Sequence, residues 1–218
     1  MDEKIESFMK AKKIYEEVRK FSENFLKENE KILKIAEEIE NKIRELGGKP
    51  AFPVNISINE IAAHYTPSLD DKTNLKNGDL VKVDIGVSVE GWIYDGAFSV
   101  LIGRKDSNLI EAAKKAVEEG VKASKAGTKI SEISEAIESV VKEFGVNTIR
   151  NLSGHRLDKF ELHAEPSIPN VKNNINIILE EGWIIAIEVF TTNGSGWVKD
   201  SRPILIFQYL QDLSLIHI

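Results

Sequence analysis

The spacing of the apolar residues predicts helices at the start and in the middle of the chain. Residues 4–47 are predicted to be helical, because in their second part apolar side chains recur at steps of three and four and form one face. These side chains are Ile32, Ile35, Ile39, Ile43 and Leu46. Gly47, Gly48 and Pro50 follow, as is typical of a helix end. Two further helices are predicted over residues 107–125 and 129–144, and the second of them is amphipathic.

Alternating apolar and polar residues predict strands in much of the remaining sequence. The segment 81–102 alternates along its length, and shorter strands are predicted at 148–154, 160–168, 183–191 and 203–210. Residues 51–65 mix proline, asparagine and serine with apolar residues, which indicates a loop with a short strand. Strands, then a pair of helices, then strands again predict an α+β domain.

One predicted hairpin carries two aspartates. In VKVDIGVSVEGWIYDGAFSV, residues 81–100, the Glu90-Gly91 step predicts a tight two-residue turn. Residues that oppose each other across such a turn share a face, so Asp84 and Asp95 should point to the same side, one diagonal step apart. Two carboxylates on one face of a largely apolar hairpin repel each other unless a cation, a shared proton or water compensates. The alternative is that one of the two aspartates is exposed to solvent and the other lies in a turn.

Other candidate metal ligands lie later in the chain. The stretch NLSGHRLDKFELHAEPSIPN, residues 151–170, carries two of the four histidines, His155 and His163. Glu188 follows the apolar run of a predicted buried strand, where a glutamate is rare without a partner, although a salt bridge at the strand end would also explain it. Together with Asp84 and Asp95, His155 and Glu188 form a hard oxygen and nitrogen donor set that suits Mn, Fe, Co or Zn. Several carboxylates and one histidine also suit a two-metal hydrolase centre.

Composition narrows the class of protein. The net charge of -6 argues against a general nucleic-acid binder, which would be basic. The sequence contains neither an apolar run as long as a membrane span nor the apolar core of a signal peptide. There is no cysteine, which excludes disulfides and thiolate chemistry. We therefore expect a cytoplasmic protein.

Several segments, in order along the chain, resemble one family. They are FPVNISINEIAAHYTP around His64, the hairpin at 81–100, IRNLSGHRLDKFELHAEPSIPN around His155 and His163, and EGWIIAIEVFTTNGSGWV around Glu188. The chain resembles the type II methionine aminopeptidases of the archaeal kind, which have the pita-bread fold. The resemblance runs from the N-terminal helices to about residue 212. It implies a metal-dependent enzyme that removes the initiator methionine from nascent proteins and peptides.

The resemblance implies roles for four metal ligands. Asp84 would chelate one of two divalent ions, and Asp95 would bridge both. His155 and Glu188 would hold the other ion. The ions, whether Co, Mn, Fe or Zn, would activate a water molecule, and a carboxylate would take its proton.

The resemblance also implies how the substrate is held. His64 and His163 would face the peptide and polarise the scissile carbonyl or bind the tetrahedral intermediate. The pocket would accept an N-terminal methionine, with a small second residue preferred. The protein is expected to act as a monomer without nucleic acid or membrane.

The sequence departs from the family pattern near its end. The family has a helical insert and then a last metal-binding glutamate on a strand, whereas no glutamate follows Glu188 here. We expect residues 1–212 to form a pita-bread catalytic domain that lacks this insert and strand, and activity to be impaired accordingly. We expect 213–218 to be a non-native tail in which His217 has no function, although a natural apolar tail is the alternative. Val189 and Glu165-Pro166 also differ from the family pattern, and Glu165 is a candidate replacement ligand.

Two alternative functions remain open from the sequence. One is a binding module with the same fold and no activity, and the other is an aminopeptidase or dipeptidase acting at Xaa-Pro bonds. The retention of four ligand positions and both substrate histidines favours an enzyme. The segment around His64 and the N-terminal helices favour methionine as the residue removed.

Overall fold

The computed structural model describes residues 3–104, 107–200 and 206. Its helices are α1 (Glu3–Ser22), α2 (Ile32–Glu45), α3 (Asn108–Ala123) and α4 (Ile130–Glu143). Its strands are β1 (Lys49–Pro50), β2 (Asn55–Ile58), β3 (Leu80–Val89), β4 (Trp92–Leu101), β5 (Asn147–Thr148), β6 (Ser153–Asp158), β7 (Glu161–Pro169), β8 (Ile184–Ala186) and β9 (Thr191–Thr192). The elements form two halves, each with a helix pair and a sheet.

The first half is organised around strand β3. Strand β4 pairs with it along one edge, and β1 and β2 share the other edge. Alternate residues of β3 are fully buried against α1 and α2, whose apolar stripes complete the core. The buried members of β3 are Val81, Val83, Ile85 and Val87. The opposite face of this sheet is therefore left to carry polar side chains, among them Asp84.

The second half places α3 and α4 against an antiparallel sheet in the order β7-β6-β8. The apolar stripe predicted for α4 is buried, since Ile130, Ile133, Ile137 and Val141 have almost no exposed surface. Both predicted helices of this half, at 107–125 and 129–144, are confirmed to within two residues at each end.

The halves meet at a small apolar cluster of Ile93, Leu157 and Ala186, which come from β4, β6 and β8. Each member stands two residues from a predicted metal ligand, namely Asp95, His155 and Glu188. Residues two apart on a strand share a face, so the packing that joins the halves also brings the ligands on β4 and β6 towards each other.

The predicted hairpin turn is confirmed. Val89 opposes Trp92, and the two turn residues Glu90 and Gly91 both adopt positive φ, at 51° and 86°. This is the geometry of the two-residue turns that match the twist of a hairpin. Asp84 opposes Ala97, and Asp95 opposes Gly86, so the two aspartates lie on one face, one diagonal step apart, as predicted.

The predicted helix over residues 4–47 is wrong between α1 and α2. Asn29 adopts a left-handed φ of 67°, which a continuous helix excludes. Its backbone N–H donates to Leu75 O at 2.8 Å, and Leu75 N–H donates to Glu30 O at 2.9 Å. These bonds to a distant loop replace the helical ones, so the chain forms two helices instead of one.

Two predicted strands are also shorter than expected. The strand at 148–154 is divided between β5 and the start of β6. The strand at 183–191 ends at Ala186, resumes only at Thr191, and leaves Glu188 in a segment without regular pairing. The strand predicted at 203–210 lies outside the described residues except for Ile206, as does the tail 213–218. The domain division at residue 212 stays a prediction.

Gly154 permits a close approach between β6 and the segment that carries Glu188. A Cβ at this position would lie 2.2 Å from the backbone oxygen of Ala186 and 3.1 Å from the backbone nitrogen of Glu188. Because both atoms belong to the backbone, no side-chain rotation can relieve the overlap. A glycine at 154 is therefore required to bring Glu188 alongside His155.

The substitution Gly154→Ala should lower the free energy of unfolding by about 1–3 kcal/mol, the usual cost of overpacking a filled space. Gly194→Ala is the control, because its Cβ would meet only the Thr192 hydroxyl oxygen, at 3.3 Å, and should change stability by less than about 0.5 kcal/mol. Urea unfolding of both variants measures the difference. Equal stability of the two variants would contradict the close approach.

Candidate metal centre

Three of the four predicted metal ligands converge where the halves meet. One ligand atom each from Asp95, His155 and Glu188 lies within 4.8 Å of the other two. His155 Nε2 lies 2.8 Å from Glu188 Oε1 and 3.4 Å from Asp95 Oδ2. Asp95 and His155 are buried, while the Glu188 side chain is 30% exposed. The cluster is thus reached from the Glu188 side.

The His155 ring is oriented as a metal-binding histidine requires. Its Nδ1 lies 3.1 Å from the backbone oxygen of Arg156, which can only accept, so Nδ1 carries the proton when the ring is neutral. Its Nε2 is buried and makes no hydrogen bond of acceptable geometry to any described residue, despite the short contacts with Asp95 and Glu188. A buried nitrogen with a lone pair directed at two carboxylates fits a divalent cation between them.

Asp84 lies beside this cluster without belonging to its tightest part. Burial raises the pKa of Asp84 well above its ordinary value, and the negative charges of Asp95 and Glu188 raise it further. A hydrogen bond from Asn55 and the charge of His155 oppose the rise. The described structure therefore places all four predicted ligands in one electrostatic environment, with Asp84 on its edge.

Without a cation, protons must compensate for the carboxylates. Burial raises the pKa of Asp95, although the contact with His155 opposes this. Burial alone would lower the pKa of His155, but the carboxylates of Asp95 and Glu188 outweigh it and raise that pKa to about 10. The carboxylates therefore favour positive charge at the side of the His155 ring that faces them.

The two predicted substrate histidines lie close to this centre. The His163 ring stands edge-on to the His155 ring, with 4.5 Å between centroids. Partial shielding of the ring from solvent lowers the pKa of His163, the electrostatic influence of His155 and His64 lowers it further, and the Asp95 carboxylate opposes the shift. That influence indicates that His64 lies near His163. Both side chains are exposed, unlike His155, so both are accessible to a bound molecule.

A cavity of about 1100 Å³ opens between the halves beside the cluster. Asp84, Asp95 and Glu188 line it, as do Ala62 and Ala63, whereas His64, His155 and His163 are not among its lining residues. Its volume is large enough for several residues of a peptide. A polar centre at the wall of such a cavity is the arrangement expected of a binding or catalytic site.

Two positions where the sequence departs from the family do not contribute ligands. Glu165 Oε2 accepts a hydrogen bond from the backbone N–H of Ser167 at 3.1 Å, within the irregular stretch of β7 opposite β6. Among the described residues it is not part of the ligand cluster, so Glu165 as a replacement ligand is not supported. Val189 packs against the apolar core of the second half.

Sequence reasoning missed residues that hold the ligands. Asn55 is buried on β2 directly opposite Asp84, and Gly154 lets Glu188 approach. Alternation of apolar and polar residues identifies a strand but not the strand it pairs with. The pairing of β2 with β3, and with it the position of Asn55 opposite Asp84, was therefore not predicted. The glycine preceding His155 was visible, but its close contact depends on β8, which lies 30 residues later in the chain.

Comparison with known proteins agrees with this geometry. Residues 6–207 match metallopeptidase family M24. The chain is 49% identical over 213 residues to the methionine aminopeptidase of Thermococcus onnurineus, covering 97% of this chain and 72% of that protein. The chain belongs to metallopeptidase family M24. This family and the cluster of Asp95, His155 and Glu188 together indicate use of a divalent metal.

Solved structures confirm the expected fold. The methionine aminopeptidase of Thermotoga maritima superposes with a TM-score of 0.82 at 26% identity, covering 89% of this chain and 82% of that one. The pita-bread fold of family M24 is thus confirmed. The prolidase of Pyrococcus furiosus superposes with a TM-score of 0.77 at 24% identity, covering 87% of this chain and 56% of that one, which shows the fold alone.

None of the helices in the described part of the chain combines the length and the apolar character that crossing a bilayer requires.

Metal binding should release protons, so its affinity should rise with pH. His155, with a pKa of about 10, must lose its proton before it ligates an ion, and the raised pKa values of Asp84 and Asp95 act in the same direction. Between pH 6 and 8 the apparent affinity for Mn or Co should increase by up to about tenfold per pH unit for each proton displaced. Calorimetry in buffers of different ionisation enthalpy measures both quantities.

Two variants test whether His155 causes this pH dependence. His155→Ala should abolish tight binding, whereas His163→Ala should bind metal and still release protons, since His163 is outside the ligand cluster. An affinity that stays constant from pH 6 to 8 would mean that His155 is not protonated in the metal-free site.

Proposed function

We propose that this chain is a metal-dependent methionine aminopeptidase that removes the initiator methionine from nascent polypeptides. The observation that carries the proposal is the cluster of Asp95, His155 and Glu188 with two exposed histidines beside it. It occurs in a chain that is similar over nearly its full length to archaeal methionine aminopeptidases. The pairing of a hard donor set with exposed imidazoles suits hydrolysis of a peptide bond.

Four residues would hold two divalent ions, with Mn, Fe, Co and Zn all compatible with the donor set. His155 and Glu188 would ligate one ion, Asp84 the other, and Asp95 would lie between them. When bound, the ions supply Lewis-acid polarisation of the scissile carbonyl and a water of lowered pKa. The 30% exposure of Glu188 would leave its carboxylate accessible as a proton acceptor in this site.

The two exposed histidines would act on the substrate carbonyl. The lowered pKa of His163 keeps its ring neutral at neutral pH, so that its N–H donates a hydrogen bond without adding positive charge beside the metal ligands. His64 lies near it and would bind the same oxygen or the neighbouring peptide group. Such donors stabilise the charge that develops on the carbonyl oxygen during attack.

The substrate is proposed to be the N-terminal methionine of a nascent polypeptide with a small second residue. The cavity is large enough for the first residues of an extended chain. We also propose that the protein acts as a monomer in the cytoplasm, without nucleic acid or membrane, as its composition suggested. Native gel filtration and fractionation of the source cells test these two points.

Two alternatives make different predictions. An Xaa-Pro peptidase would cleave before proline, and the likeness to prolidases is below 25% identity. A binding module without activity would bind metal and peptide but release no product. Retention of four metal-ligand positions and of both substrate histidines favours the enzyme.

The activity test compares peptides side by side, so it does not depend on the absolute rate. Methionine should be released from a Met-Gly or Met-Ala peptide when Mn or Co is present, and should not be released after chelation. His163→Ala should lower turnover by roughly 10²–10³-fold, the usual loss when a hydrogen-bond donor to the oxyanion is removed. Asp158→Ala is the matched control and should retain activity, because Asp158 lies at the turn between β6 and β7, the strand that carries His163.

Other outcomes would favour the alternatives. Faster cleavage of an Ala-Pro peptide than of Met-Gly would indicate an Xaa-Pro peptidase. Tight metal binding with no cleavage of any peptide would indicate a binding module. Unchanged turnover in His163→Ala would remove this histidine from the mechanism.

A further inference from the structure

His64 stands at the end of a short exposed loop, residues 59–64, whose backbone conformation is unusual. Asn59 and His64 both adopt positive φ, at 52° and 61°. Non-glycine residues rarely occupy this region, and they hold it only when the surroundings fix them. The position of His64 therefore depends on the groups that hold both ends of the loop.

The far end of the loop is held by the residue after His64. Tyr65 O accepts a hydrogen bond from Ile56 N–H at 2.7 Å, and Tyr65 N–H donates to Ser57 Oγ at 3.4 Å. The Tyr65 hydroxyl donates to Asp71 Oδ2 at 2.5 Å. These bonds tie the end of the loop to β2 and to the connector that follows.

The near end is held at Asn59. Its backbone N–H donates to Leu80 O at 2.8 Å, and its side chain bonds to Leu80 N and to Asp79 Oδ1, both at 2.9 Å. Its backbone oxygen, the first carbonyl of the loop, accepts a hydrogen bond from Lys82 Nζ at 2.8 Å. Lys82 is the charged donor at the point where the loop leaves the sheet.

Lys82 also belongs to the face that carries the metal ligands. It precedes Asp84 by two residues on β3, so the two side chains share a face. Ser57 and Ser99 oppose it on the neighbouring strands, and the lysine lines the same cavity as Asp84 and Asp95. Lys82 thus adds a charged side-chain link, beside the bonds through Leu80, between the strand that carries Asp84 and the loop that carries His64.

We propose that Lys82 is a positioning residue that fixes the loop 59–64 and so sets the distance of His64 from the metal ligands. A charge-assisted bond to a carbonyl is stronger than a neutral one, and it anchors the loop to a strand that cannot move independently of Asp84. The consequence for catalysis rests on the proposed function, whereas the consequence for the His64 ring does not.

The test removes the Lys82 amine and measures whether the resulting change in activity depends on His64. The side chains introduced by Lys82→Met and Lys82→Gln offer no charged donor to the Asn59 carbonyl, whereas the arginine introduced by Lys82→Arg does. Lys4→Met is the matched control, because Lys4 Nζ also donates to a backbone oxygen, that of Gly182 at 2.6 Å, far along the chain from the loop. The His64 ring signal in ¹H–¹³C NMR, identified with His64→Ala, is the readout that needs no activity.

The proposal predicts a selective change. In Lys82→Met and Lys82→Gln the His64 signal should shift or broaden, and in Lys82→Arg and Lys4→Met it should stay as in the wild type. Methionine release at saturating metal should fall about 10–100-fold in kcat/KM for Lys82→Met, the scale expected when a catalytic group is misplaced. In a His64→Ala background, Lys82→Met should lower kcat/KM little further, because the effects of substitutions at coupled residues are not additive.

Three results would overturn the proposal. They are an unchanged His64 signal in both uncharged variants, equal losses of kcat/KM with and without His64, and failure of Lys82→Arg to restore either readout. If the wild type releases no methionine, the proposed function fails, and the NMR comparison still decides whether Lys82 positions His64.

Discussion

The structure must offset the electrostatic cost of holding three carboxylates in one partly buried site. Asp84, Asp95 and Glu188 repel each other, and burial makes their charged forms more expensive still. A single histidine compensates for part of this charge, and the neighbouring carboxylates raise its pKa to about 10. A divalent cation compensates better, because it adds positive charge and ligates the buried Nε2 that has no hydrogen bond among the described residues.

The fold supplies these charges from two separate cores. Asp84 and Asp95 belong to a hairpin whose other face is packed against α1 and α2, and His155 belongs to a sheet supported by α4. The cluster of Ile93, Leu157 and Ala186 joins the halves directly beside the ligands. The apolar packing thus opposes the electrostatic repulsion, and it places the centre at the wall of the cavity instead of inside either core.

Local pattern was enough to predict what depends on a single element. The two-residue turn and the alternation of the strands placed Asp84 and Asp95 on one face, and the apolar repeat located α4, because both follow from a period read along the sequence. The break at Asn29 and the early end of β8 were missed, since each depends on bonds or contacts with distant residues. The same limit explains why Asn55, Gly154 and Lys82 were not identified as supports of the site. The four candidate ligands were chosen from residue type and position, their individual roles came from the family resemblance, and the structure brings three of them within 4.8 Å of one another.

We propose that Asp95, His155 and Glu188 form a metal centre with Asp84 at its edge. Anomalous diffraction at the zinc edge, from crystals grown with Zn²⁺, is the decisive measurement. A peak is expected about 2.0–2.2 Å from His155 Nε2 and from carboxylate oxygens of Asp95 and Glu188. A second peak, roughly 3.5–4 Å away, is expected beside Asp84. A crystal that contains zinc elsewhere, with His155 Nε2 still in contact with Glu188 and no peak between them, would show that these residues do not form a metal centre.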